Sequence, residues 1–120
     1  MGKTCSTKNE KLLLKNCFEN EVFHWSKEIK DNPNNAEAYN NRGKTYGELG
    51  DDDKAISDFT KAVEVNPNYA EAINNRAVSY FYTKKYVKSW QDVITAEKLG
   101  WDTRFVKELF ESKKAKNEVI

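Results

Sequence analysis

Apolar and small side chains in the middle of this chain recur at steps of three and four. Tyr39, Gly43 and Tyr46 form one series, and Ala55, Ile56, Phe59, Ala62 and Val63 form a second. That is the spacing of one packed stripe on each of two amphipathic helices. Between the two series, Gly50 can adopt the left-handed conformation that ends a helix. Asp51 or Asp52 can then cap the next helix while favouring its positive end. Asn66-Pro67 closes the second helix, because proline restricts the residue before it and has no N–H to continue the ladder. The pattern predicts a helix pair.

The pair is then written a second time. The stretch NPNNAEAYNNRG from Asn32 returns as NPNYAEAINNRA from Asn66, a displacement of 34 positions. Residues 36–69 set against 70–103 share ten identities: Ala36, Glu37, Ala38, Asn40, Asn41, Arg42, Tyr46, Lys54, Asp58 and Ala62 recur 34 places on. Small residues at Gly43, Ala55 and Ala62, and again at Ala77 and Ala96, stand between larger ones. They let neighbouring helix axes approach while aromatic rings fill the gaps. Arg42 and Arg76 are each followed sixteen residues later by an aspartate, Asp58 and Asp92. With one member on each helix of a pair, both couples are expected to form bidentate ion pairs with a structural role.

The unit 36–69 resembles a tetratricopeptide repeat, whose period is 34. The pattern is carried by Tyr39, Gly43, Tyr46, Ala55, Phe59, Ala62 and Pro67, with Arg42 where leucine is usual. The unit 70–103 keeps Ile73, Ala77, Tyr80 and Ala96 but has Ser89, Val93 and Trp101 at three pattern positions, and Gly100 serves as its helix stop. The resemblance implies an all-α, right-handed solenoid of antiparallel helix-turn-helix repeats forming a single domain, closed by a C-terminal capping helix at 104–120. Asp102 or Thr103 would cap that helix, Phe105, Val106, Leu109 and Phe110 would cover the bare side of the second repeat, and Lys113, Lys114 and Lys116 would face water. Residues 7–35 read as a partial or degenerate repeat, since His24 to Asn35 aligns with a second helix. Two helices are favoured there over one long helix with Leu14, Phe18, Val22, Trp25 and Ile29 inward.

Composition narrows the function classes. A chain of 120 residues has room for one domain that buries on the order of 65% of its unfolded surface. Twenty basic against nineteen acidic residues give a net charge of +1, which advertises neither nucleic acid nor an anionic membrane as partner. No run approaches the roughly 18 apolar residues of a membrane span, so no membrane insertion is expected and cytoplasmic residence is the default. The two cysteines, Cys5 and Cys17, have no paired-ligand spacing and only His24 to join them, so free thiols are expected and no metal site or cofactor. One histidine also supplies no nucleophile, base and orienting group, and Gly43, Gly47 and Gly50 are spaced as helix contacts and caps rather than as a phosphate loop. The reading is therefore not an enzyme.

With one stripe of each first helix packed inward, the opposite stripe is free. It comprises Glu37, Asn40, Asn41, Lys44 and Glu48 in the first unit, then Glu71, Asn74, Asn75, Val78 and Tyr82 with Phe81 beside them in the second. In proteins of the resembled family this concave face holds an extended peptide or a helix of a partner protein. Asparagine amides suit that role, since they both donate and accept hydrogen bonds. Against that stands the reading of the same asparagines as solvated or loop-adjacent positions, two of the four bonding to a neighbouring helix. Where the family grips a C-terminal carboxylate with lysines and an arginine, this chain has Asn40, Asn41 and Glu71, so no such clamp is expected. The expected role is an adaptor for another protein or peptide. The alternative is a homo-oligomer, in which another copy covers the apolar edge bearing Leu12 to Leu14, Phe18 and Phe23.

Overall fold

The computed structural model describes residues 10–119, with side chains over 13–114. Among these residues there are six helices and no strand: α1 (Glu10–Asp31), α2 (Ala36–Glu48), α3 (Asp52–Val65), α4 (Ala70–Tyr82), α5 (Tyr86–Lys98) and α6 (Arg104–Val119). The molecule is an all-α helical repeat solenoid in which each helix packs on its chain neighbours, and α4 also lies against α2 and α6. Its thinnest dimension is 22 Å, which is two layers of helices about 10–12 Å across.

Local chemistry sets the helix ends. The Asn35 side chain accepts the Ala38 amide at 3.1 Å to open α2, and Asp51 accepts the Lys54 amide at 3.2 Å to open α3. Gly50, with φ +83°, makes the left-handed step between them. In the second unit that step falls on Lys84, a non-glycine at φ +63°, and neither α4 nor α5 has a side-chain cap. Asp102 opens α6 by accepting the Arg104 amide at 3.0 Å, while the nearly buried Thr103 turns back to Glu97 at 2.9 Å.

The core is made of small residues against large ones. Ala38, Ala55, Ala62, Ala72, Ala77 and Ala96 are fully buried, with Phe59, Ile73, Val93 and Val106 between them. Gly43 shows how closely α2 and α3 approach: a Cβ there would lie 2.6 Å from Cε1 of Phe59, well inside van der Waals contact. Tyr39, Ala62 and Ala72 join the two units, with Ile29 of α1 packed against them. At the other end Val106 and Phe110 of α6 close over Ala77 and Val93.

Two sequence expectations for the stretch before Ala36 differ from the structure. Where two helices are favoured upstream of Ala36, one 22-residue helix runs from Glu10 to Asp31. The physical reason is that this stretch contains neither glycine nor proline to stop a helix. Of its inward series, Phe18, Val22, Trp25 and Ile29 are half-buried and Leu14 is exposed. Cys17 is not a free thiol but is disulfide-bonded; Cys5 lies outside the described residues.

Candidate functional site

Between α2, α4 and α6 opens a groove of about 390 Å³. It is lined by Lys44, Gly47 and Glu48 of α2, Asp52 at the start of α3, Asn74, Asn75, Val78, Ser79 and Tyr82 of α4, and Phe105 of α6, with Phe59 at its base. Tyr82 and Phe105 are 53% and 56% exposed, so large apolar surface faces the open space.

The residues assigned to this face by sequence do not all reach it. Lys44, Asn74, Asn75, Val78 and Tyr82 line the groove. Asn40 is 1% exposed, and its Oδ1 accepts from Asn75 Nδ2 at 3.1 Å, so this amide joins two helices. Its own Nδ2, and Oδ1 of Asn74, are buried without a hydrogen-bond partner among the described residues. Glu71 lies beside the groove and accepts from Lys44 at 3.3 Å. Glu37 is exposed and Asn41 half-buried, both outside the lining. Phe81 points the other way, edge-on to Phe110 at 4.9 Å and to Tyr86 at 5.3 Å. One residue is about 100° of helix rotation, enough to take Phe81 off the face that Val78 and Tyr82 share.

Sequence reasoning set Phe105 over the bare side of the second unit rather than in the groove. The signal was present: Phe105 stands 34 residues after Glu71, and Arg104 stands 34 after Ala70, where α4 begins. The third helix of the series therefore brings an aromatic ring to the place where the first two carry glutamates.

Away from the groove, the repeat is fastened by its two arginines. Arg42 donates from Nε and Nη2 to the two carboxylate oxygens of Asp58, each at 2.7 Å. Arg76 does the same to Asp92 at 2.8 and 2.9 Å. The remaining Nη1 donates to Ser26 at 3.1 Å in one case and to Thr60 at 3.3 Å in the other, so each guanidinium ties its own pair to the helix before it. These hydroxyls also stand 34 residues apart. Hydrogen bonding by Asp58 and Asp92 raises the pKa of each arginine against the opposing effect of burial, which locks the charged form. Tyr69, at the junction of the units, has its pKa raised by burial first and then by Glu71 and Glu37, with Asn40 pulling it down.

No group of three or more histidine, cysteine, aspartate or glutamate side chains among the described residues is placed to hold a metal ion. No described helix is long and apolar enough to cross a membrane.

Comparison with known proteins fits this geometry. The family model for the tetratricopeptide repeat matches residues 36–69. That unit is a tetratricopeptide repeat. Solved structures share the chain's fold. The TPR2B domain of yeast Sti1, in a complex with pHsp70, superimposes with a TM-score of 0.76 at 24% identity, over 89% of this chain and 90% of that one. The first TPR of Spaghetti (RPAP3), bound to the HSP90 peptide SRMEEVD, gives 0.76 at 23% identity, over 90% and 86%. MamA AMB-1 gives 0.66 at 23%, over 75% of this chain and 54% of its own. No curated protein sequence matches the chain. The family model covers the unit whose tetratricopeptide pattern is most complete; the second unit departs from that pattern at Ser89, Val93 and Trp101.

Proposed function

We propose that this chain is a non-catalytic interaction module that holds a peptide or helix of another protein in the groove between α2, α4 and α6. The observation that carries this reading is the open groove itself, whose exposed Tyr82 and Phe105 stand among amide and charged groups. Apolar walls supply affinity, and a few polar groups fix orientation. Asn75 keeps one face on Asn40, while Ser79 and Asn74 offer hydrogen-bonding groups along the same wall. One similar domain bound to an HSP90 peptide and another in a complex with pHsp70 support the same use of the fold.

The test is selection from a displayed random-peptide library. The unaltered protein should enrich a definable set of sequences, and Tyr82→Ala/Phe105→Ala should lose that enrichment while keeping its helical circular-dichroism spectrum and melting transition. Enrichment that survives in the double variant would place binding elsewhere.

Self-assembly is the second reading, favoured by Phe23, 71% exposed on α1, and by Val87, 74% exposed on α5. Light scattering over a concentration series separates it from a monomeric adaptor.

A further inference from the structure

The charges along the groove are uneven. Lys44 is the basic side chain of the lining, and Glu71 already engages it at 3.3 Å. The acidic side chains of the lining, Glu48 and Asp52, form no ion pair among the described residues. An occupant therefore meets two uncompensated carboxylates and no free ammonium. An acidic peptide would face repulsion there, and like-charge contacts discriminate against a partner more strongly than a missing attraction does.

The apolar part of the lining selects a second property. Tyr82 and Phe105 both expose more than half their surface, and Val78 lies within the same groove. A lysine or arginine suits both features at once, because its aliphatic stem lies along apolar surface and its head seeks carboxylate or an aromatic face.

Resting on the groove reading above, we infer that this groove selects peptides in which an arginine or lysine stands beside a large apolar residue, and rejects acidic peptides. The cation is received by Glu48 and Asp52, and the apolar neighbour by Val78, Tyr82 and Phe105.

Library selection tests this when the sequences recovered are scored for charge. The unaltered protein should enrich basic-apolar over acidic-apolar peptides about fivefold, the scale of two exposed ion pairs. Glu48→Gln/Asp52→Asn should bring that ratio to near one, and Glu48→Lys/Asp52→Asn should invert it, while all three proteins keep the apolar preference. Both replacements suit their places, since Asn is accepted at a helix start and Lys at a helix end. Enrichment of acidic peptides by the unaltered protein, or a basic preference untouched in both variants, would overturn the charge assignment and leave the groove standing. Failure to enrich any sequence would overturn the groove reading as well.

Discussion

The two duplicated units solve the same packing problem with different side chains. In the first, Gly43 faces Phe59, and the ring fills the space that a methyl group would need. In the second, the equivalent positions are Ala77 and Val93, which meet in one buried cluster with Val106. Volume has moved from one helix of the pair to the other. The turns differ too, with Gly50 and Asp51 in the first unit replaced by Lys84 and Lys85 in the second. What does not differ is the arginine–aspartate fastening, present in both units with nearly the same distances. The pair of units teaches that side-chain volume can be traded across a helix interface, whereas a buried charge must keep its partner.

The largest effect should come from breaking that fastening. Arg42→Leu, the residue usual at this place in tetratricopeptide repeats, leaves the Asp58 side chain 7% exposed and unpaired, at an expected cost of about 3 kcal/mol. Adding Asp58→Leu should recover at least about 1 kcal/mol of it, measured as coupling in urea denaturation. Additive single effects would show that the pair is not a unit. Arg76 and Asp92 should behave alike if the two repeats are fastened in the same way.

Exchanging the packing solutions comes next. Gly43→Ala alone should cost about 1–3 kcal/mol by overpacking against Phe59. Combined with Phe59→Val it imitates the second unit, and the double variant should be more stable than the sum of the singles predicts. A double variant no better than that sum would mean that the ring and the glycine are not matched.

The smallest change concerns the turns. Lys84 holds φ +63°, a conformation that costs an L-residue about 1 kcal/mol or more. Lys84→Gly should therefore raise the melting temperature by a few degrees, and Gly50→Ala should lower it by a similar amount. Unchanged melting in both would show that the turns carry no strain.

The amino-acid sequence by itself determined the repeat, the helix limits around Gly50, Pro67 and Gly100, and the partners of Arg42 and Arg76. All of these follow from short-range chemistry multiplied by a period: caps, helix stops and stripes are local, and the period copies them. The composition of the groove was only half legible. A helical stripe names the residues that leave the core, but not what the next helix brings against them. Tertiary packing buried Asn40 against Asn75, turned Phe81 onto Phe110 and carried Phe105 into the groove beside Tyr82. It also gave the arginines their third contacts at Ser26 and Thr60. Those outcomes depend on the distance and rotation between separate helices, which are set by the side-chain volumes at each contact and by no single segment.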